Sequence, residues 1–199
     1  MHVAIAVFDG VDALDALGPY EVFGHARQHG TELTVGLCTH KRRETITTSH
    51  GLTVVPDGVL EPDEPPALLV VPGGGWTDGA ETGVRAQTAG ALPAAVAACH
   101  ETGTVVASVC TGAMVLAAAG LTDGRPAATH HGAHTDLAEA GAVVQDARVV
   151  DDGDVVTAGG ITAGIDLALH LLERTVGAGV AATVATTMEY ERRGPVQTQ

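Results

Sequence analysis

Short apolar runs alternate along this chain with longer segments in which apolar and polar positions are spaced as in helices. Runs without an interrupting charge are typical of buried parallel strands, and we predict them at residues 2–8, 32–39, 67–71, 104–109 and 155–157. Helices are predicted at residues 18–29, 85–100, 111–119, 134–140, 161–175 and 178–192. This alternation predicts an α/β fold with a doubly wound, mostly parallel sheet sandwiched by helices.

The remaining segments predict smaller elements. Residues 45–55, broken at His50-Gly51, indicate a β-hairpin or two edge strands. The helix over residues 85–100 is expected to begin or bend at Pro93, and the tail after Gly194 is expected to fray. We predict one domain over residues 1–199 with an ordered core from about residue 2 to 191.

The stretch from residue 102 to 122 carries no charge and is about as long as a membrane-spanning helix. Its character changes in the middle, where a β-branched run gives way at residues 108–112 to an alanine-rich segment. A buried strand followed by a buried helix explains this pattern better than a membrane span does. We therefore predict no membrane partner.

Charge and cysteine content narrow the function classes. The chain has 24 acidic and 10 basic residues, a formal net charge of −14, which argues against a nucleic-acid partner. The first nine residues include no lysine or arginine, which is not the pattern of a signal peptide. Three cysteines, Cys38, Cys99 and Cys110, do not make a disulfide framework, so we expect a reducing, cytoplasmic location.

Cys110 lies at the predicted junction between a strand and a helix. Free N–H groups and the positive end of the helix dipole converge there, and such surroundings lower a thiol pKa and favour the nucleophilic thiolate. The alternative is a buried structural cysteine, because free cysteines are often buried. Cys38 and Cys99 are expected in the core.

Sites in open α/β sheets form at the carboxyl ends of strands. Here those ends lead to Asp15, to the Pro72–Gly75 turn and to Cys110. The N–H groups of Gly74 and Thr111 are therefore candidates for an anion hole, and the carboxyl is a candidate for proton exchange with the thiol. Without the rest of the site, the glycine run would be a plain turn.

Three segments resemble the ThiJ/PfpI superfamily, whose fold is flavodoxin-like and similar to that of glutamine amidotransferases. They are residues 67–74, 108–113 and 159–166, and the resemblance spans nearly the whole chain. The similarity is closest to the isonitrile hydratase branch because Leu14–Pro19 carries Asp15 where deglycase-type members carry glutamate. The same segments occur in AraC-type regulators, which add a basic helix-turn-helix domain that we do not expect here.

The resemblance implies covalent chemistry on a small-molecule substrate. Cys110 would attack the terminal carbon of an isonitrile to form a thioimidate, and Asp15 would supply a proton and later assist water, releasing an N-substituted formamide. Thr111 and His130 would line the site beside Gly74. The resemblance also implies a homodimer, and it implies neither a cofactor nor a metal.

Several alternatives stay open. Glyoxalase or deglycase chemistry is one, and a non-enzymatic oxidation sensor or stress-response protein built on Cys110 is another. Asp12 and Glu21 are rival acids. Trp76 is either a pocket wall or a partly exposed loop anchor. The histidines at positions 130, 131 and 134 suggest a metal site, but their spacing is not that of a zinc motif, so none is predicted.

Overall fold

The computed structural model describes residues 1–61, 63–77 and 81–198. Its strands are β1 (His2–Ala6), β2 (Thr34–Thr39), β3 (Ile46–Thr47), β4 (Thr53–Val54), β5 (Gly58–Val59), β6 (Leu68–Val71), β7 (Val105–Val109), β8 (Pro126–Ala127), β9 (Val143–Val144), β10 (Val149–Asp152), β11 (Val155–Ala158) and β12 (Val196–Thr198). Its helices are α1 (Ala13–Gln28), α2 (Val84–Thr88), α3 (Leu92–Glu101), α4 (Ala113–Ala118), α5 (His134–Glu139), α6 (Ala163–Thr175) and α7 (Ala178–Thr187).

An eight-stranded sheet forms the centre of the structure, in the order β12-β10-β11-β7-β6-β1-β2-β5. All neighbouring pairs are parallel except β10 with β11. Helices α1, α6 and α7 pack on one another, and α2 to α5 form a second group. The predicted mostly parallel sheet flanked by helices is confirmed, and β1, β6 and β7 are mostly buried aliphatic residues, which need cover on both faces.

Within the described residues, no helix is long and apolar enough to span a bilayer. The uncharged stretch from 102 to 122 instead holds β7, a 3₁₀ turn at Cys110–Gly112 and α4. The predicted hairpin is present as the antiparallel pair β3 and β4. Pro93 lies in the first turn of α3, where its missing N–H leaves no helical hydrogen bond unmade.

Helix α1 begins at Ala13, five residues before the predicted start at Gly18. The side chain of Asp12 caps it by accepting a hydrogen bond from the N–H of Leu14 at 3.0 Å. Aspartate is among the strongest N-cap residues, whereas Pro19 lies inside the helix rather than at its first position. The earlier start places Asp15 in the first turn of a helix and not on a loop.

The predicted end of α7 at residue 192 and the predicted frayed tail are both wrong. The helix ends at Thr187, and Glu189 adopts a left-handed φ of +49°, a common way to terminate a helix. The chain then returns to the sheet, where β12 pairs with β10 in parallel. Asp166 holds this return, accepting hydrogen bonds from the Tyr190 hydroxyl at 2.8 Å and the Arg193 N–H at 3.0 Å.

The strand order brings three carboxyl ends together. Strand β1 is followed in sequence by β2 on one side, while β6 pairs with its other side and β7 pairs with β6. A reversal of this kind opens a crevice at the carboxyl ends of the strands. The segments after β1, β6 and β7 therefore converge, and they carry Asp15, Gly73 and Cys110.

Gly112 marks the tightest contact at this crevice. A Cβ atom added there would lie 2.1 Å from the Val71 carbonyl oxygen and 2.9 Å from that of Pro72. Both oxygens belong to backbone, so no side chain can move to make room. The turn after Cys110 therefore packs against the end of β6 only because residue 112 has no side chain.

Gly112→Ala is expected to lower the free energy of unfolding by about 2–3 kcal/mol, measured by urea denaturation, because the added methyl overpacks this contact. Gly24→Ala is the matched control: it lies inside α1 with nothing within 4 Å of the added Cβ. That variant should gain about 0.5–1 kcal/mol from its better helix propensity. Equal stability of Gly112→Ala and the unchanged protein would contradict the packing argument.

Candidate active site

Cys110 adopts a left-handed backbone conformation, with φ of +58°, at the junction of β7 with the 3₁₀ turn. Two hydrogen bonds hold this strained residue. Its N–H donates to the Gly159 carbonyl at 3.0 Å, and its carbonyl accepts from the Thr129 hydroxyl at 2.8 Å. The predicted position of Cys110 at a strand-to-helix turn is confirmed, and its sulfur borders a cavity at the crevice.

Asp15 approaches the sulfur from the protein interior. Its side chain is fully buried, and Oδ2 accepts a hydrogen bond from the Gly73 N–H at 2.9 Å. Oδ1 has no partner at full hydrogen-bonding geometry among the described residues. The carboxyl lies close enough to the Cys110 thiol for each group to shift the pKa of the other. The structure therefore brings the two predicted catalytic residues together.

Two backbone amides lie close enough to the Cys110 sulfur to lower the pKa of the thiol. One is the N–H of Thr111, and the other is the N–H of Ile161, which follows β11 and has a φ of +43°. Ile161 was missed as a site residue, although it lies in one of the segments that carry the family resemblance. The relevant signal was the pairing of β11 with β7, which places the ends of these two strands side by side.

Gly74 has a different partner from the one predicted. Its N–H donates to the Thr111 hydroxyl at 3.0 Å, so in this structure it is not free to bind a substrate anion. Gly74 still lines the cavity, and with a φ of +119° it takes a conformation that glycine adopts without strain. Together with Gly73 it fixes the Thr111 side chain and the Asp15 carboxyl.

Burial sets the acid–base properties of the pair. It raises the pKa of Asp15 to about 7, with a further rise from the negative charge of Asp12 and a smaller opposing effect of the Gly73 N–H. It also raises the pKa of the Cys110 thiol to about 12, and the charge of Asp15 adds to this. The hydrogen bonds from Ile161 and Thr111 lower the thiol pKa but do not offset burial.

The expectation of a lowered thiol pKa is therefore wrong. That expectation included the effects of the helix N-terminus and of the backbone amides but not the desolvation of the thiol. Cys110 is only 6% exposed, and this burial disfavours the thiolate. The structure instead describes a buried pair in which the thiol keeps its proton, while Asp15, with a pKa of about 7, exists in both its protonated and its ionised form near neutral pH. Because Asp15 titrates near neutral pH, it can take the thiol proton and return it.

The cavity over Cys110 has a volume of about 110 Å³. Its wall includes Asp12, Trp76, Thr111, His130 and Ile161 as well as the sulfur. This is small beside the roughly 300–1,000 Å³ of typical ligand pockets. The site therefore suits a compound of few atoms, or one end of a longer compound.

His130 faces this cavity as a neutral hydrogen-bond donor. Its Nδ1 accepts from the Gly132 N–H at 3.1 Å, so in the neutral ring the hydrogen resides on Nε2. Burial lowers the pKa of His130, and nearby His131 and His134 lower it further. No group of three or more metal-binding side chains occurs in the part of the chain that the structure covers.

The rival acids occupy different places. Asp12 lies on the cavity wall as the N-cap of α1, where its charge acts on Asp15. Glu21 is exposed on α1, nine residues after Asp12, where it pairs with His25 at 3.8 Å and does not line the cavity. Of the three carboxyls, only that of Asp15 shifts the pKa of the thiol.

Several known proteins are similar to this chain over most of its length. Residues 1–174 match the model of the DJ-1/PfpI family. An isonitrile hydratase of Pseudomonas putida is 34% identical over 98% of this chain and 81% of its own length, and a deglycase of Pyrococcus abyssi is 32% identical over 79% and 89%. A ThiJ/PfpI family protein of Pseudomonas syringae superposes with a TM-score of 0.84 at 28% identity, covering 98% of this chain and 76% of that one.

Asp12→Asn is expected to lower the pKa of Asp15, because it removes the second-largest cause of its rise. The titration can be followed by NMR on protein with ¹³C-labelled aspartate carboxyls, with Asp15→Asn used to assign the signal. Asparagine caps a helix as well as aspartate does, so the stability of α1 should be kept. Glu21→Gln should leave the Asp15 midpoint in place, whereas an unmoved midpoint in Asp12→Asn would refute the assigned coupling.

Proposed function

The chain belongs to the DJ-1/PfpI family, and on that basis we propose that it is a cysteine-dependent enzyme that adds water to an isonitrile to form an N-substituted formamide. The observation that carries this proposal is a buried Asp15 carboxyl with a pKa of about 7, placed close enough to the Cys110 thiol for each group to shift the pKa of the other. The similarity to the Pseudomonas putida isonitrile hydratase over 98% of the chain supports the choice of substrate.

The first half-reaction adds the thiol to the isonitrile, R–N≡C. Ionised Asp15 accepts the Cys110 proton while the sulfur forms a bond to the terminal carbon. The electron pair that develops on that carbon then takes the proton from Asp15. The product is a thioimidate, R–N=CH–S, attached to Cys110, with Asp15 again ionised and no net change in protons.

The second half-reaction adds water. Asp15 accepts a proton from water as the oxygen bonds to the thioimidate carbon, and it passes this proton to the nitrogen. The tetrahedral R–NH–CH(OH)–S adduct then breaks its carbon–sulfur bond. Asp15 takes the hydroxyl proton as the C=O forms and gives it to the sulfur, so Cys110 leaves as the thiol and Asp15 is again ionised. The sum is R–N≡C plus water giving R–NH–CHO.

The other predicted residues assist this chemistry. The Nε2–H of His130 is the donor we assign to the nitrogen as it becomes basic, because Nδ1 is engaged by Gly132. Thr111 supplies its N–H to the sulfur, which stabilises developing negative charge there. Gly74 contributes by holding the Thr111 hydroxyl.

Deglycase or glyoxalase chemistry is the second candidate, favoured by the deglycase of Pyrococcus abyssi at 32% identity. The same thiol and carboxyl would add to the carbonyl carbon of a small aldehyde. An oxidation sensor is less well supported, because such cysteines are exposed and have a lowered pKa, whereas Cys110 has neither property.

The partners, cellular location, oligomeric state and domain organisation of the enzyme stay predictions. The net charge of −14 supports the expected absence of a nucleic-acid partner. Three unpaired cysteines support a reducing, cytoplasmic location. A homodimer, one domain over residues 1–199 and the absence of a cofactor are likewise proposed from the family.

Incubation with methyl isonitrile is expected to yield N-methylformamide, followed by ultraviolet absorbance and NMR. Cys110→Ala should abolish the reaction, because no other group forms the covalent bond. The same preparations are tested for lactate formation from methylglyoxal. Cys110-dependent lactate with no formamide would replace the hydratase proposal by the second candidate, and neither product would overturn both.

Asp15→Asn is expected to lose turnover and to gain stability only at high pH. The raised pKa means that Asp15 contributes stability fully below its unfolded pKa of about 4 and loses it as pH rises through about 7. The variant avoids that loss, so its free energy of unfolding at pH 8 should exceed that of the unchanged protein by roughly 1–4 kcal/mol. At pH 4 the difference should vanish, and a pH-independent difference would contradict the assignment.

A further inference from the structure

We propose that Trp76 is the specificity-determining wall of the Cys110 cavity, held in place by Asp136 and Arg85, and that it restricts the site to compounds without a bulky substituent near the reacting carbon. Trp76 is the only tryptophan of the chain and directly follows the Pro72–Gly75 turn. None of the steps assigned to Cys110, Asp15 or His130 uses it.

Three kinds of contact fix the position of Trp76. Its indole Nε1–H donates to Asp136 Oδ2 at 2.5 Å, which ties the ring to α5. The guanidinium of Arg85 lies 4.4 Å from the ring centroid in a cation–π contact. Arg85 also donates to the Trp76 carbonyl from Nε at 3.2 Å and from Nη2 at 3.0 Å, so it holds the backbone as well as the ring.

These contacts come from two different helices. Arg85 belongs to α2, which follows the β6 segment, whereas Asp136 lies on α5, which follows His130. A ring held by two helices loses the freedom to swing away when a large ligand enters. A partly exposed loop anchor would need a contact with one helix only.

The cavity is small because Trp76 borders it. The ring and His130 stand on the wall of a space of about 110 Å³ above the sulfur. Removing the indole would enlarge this space, because apart from His130 and Ile161 the other described residues that line the cavity have small side chains. The reacting carbon must reach the Cys110 sulfur, and Trp76 lines the same small cavity, so a bulky substituent near that carbon would meet the ring.

This inference rests on the proposed function only in naming an isonitrile as the substrate. The steric claim concerns access to Cys110, and a reaction that needs no turnover can measure it. Alkylation of the Cys110 sulfur by iodoacetamide or by the bulkier N-tert-butyl iodoacetamide serves this purpose, with modification at Cys110 quantified by peptide mass spectrometry. The measured quantity is the rate of Cys110 alkylation by N-tert-butyl iodoacetamide divided by the rate of its alkylation by iodoacetamide.

Trp76→Ala should raise this ratio by about ten- to hundredfold, the range of discrimination by pocket size, with little change in the iodoacetamide rate. Trp76→Phe should give an intermediate ratio, because it keeps a ring but loses the indole donor. Circular dichroism checks that each variant folds. An unchanged ratio in folded Trp76→Ala, or a parallel fall of both rates, would show that Trp76 only anchors its loop and would overturn the proposal.

The positioning role of Asp136 has its own test and keeps the proposal falsifiable should Trp76→Ala not fold. Asp136→Ala leaves the indole in place but frees it, so the ratio should rise several-fold, and Asp136→Asn should restore it because an amide oxygen also accepts the indole hydrogen. Glu139→Ala, exposed on the same helix, is the control and should change nothing. Equal ratios for Asp136→Ala and Glu139→Ala would remove Asp136 from the proposal.

A final experiment measures turnover of methyl isonitrile and of tert-butyl isonitrile by the unchanged protein and by Trp76→Ala. A rise in kcat/KM for tert-butyl relative to methyl isonitrile in Trp76→Ala would extend the steric claim to the substrate. Should no isonitrile react while the alkylation ratio still changes, the proposed function fails and the role of Trp76 stands.

Discussion

The left-handed turn at Cys110 is the constraint on which the site depends. A non-glycine residue in this conformation costs about 1–2 kcal/mol, so the surrounding structure has to enforce it. It does so through hydrogen bonds of the Cys110 backbone to Gly159 and Thr129, and through the absence of a side chain at Gly112. With these contacts the chain can leave β7 and begin the turn into α4 while the sulfur borders the cavity.

Burial of the pair then decides how the thiol can react. A permanently ionised thiolate would need more compensation than two amides provide, and the raised pKa of Cys110 shows that they fall short. A carboxyl beside the thiol removes the need for a stable thiolate, because it accepts the thiol proton only when the sulfur attacks. The same burial that disfavours the thiolate raises the pKa of Asp15 to about 7, which suits it to hold that proton briefly and release it.

Much of the sheet could be predicted from the sequence because its central strands are uninterrupted aliphatic runs with glycine-rich ends. The errors fall where a local signal competed with a tertiary one. Pro19 suggested a helix start, but the cap at Asp12 governs it. The segment after residue 187 lacks strand-like alternation, and it pairs with β10 because Asp166 and the sheet edge hold it there. The thiol pKa needed the depth of burial, which no local pattern contains.

The amide of Ile161 shows why the donors at the sulfur could not be assigned from one segment. Among the described residues, three non-glycine residues have a positive φ, and two of them, Cys110 and Ile161, meet at the sulfur. A glycine at either position would relieve strain, but it would remove the nucleophile in one case and an apolar part of the cavity wall in the other. Both conformations persist because β7 and β11 are neighbours that fix the two turns against each other. The site is therefore a property of paired strand ends, and the glycine turn after β6 serves it indirectly by orienting Thr111 and Asp15.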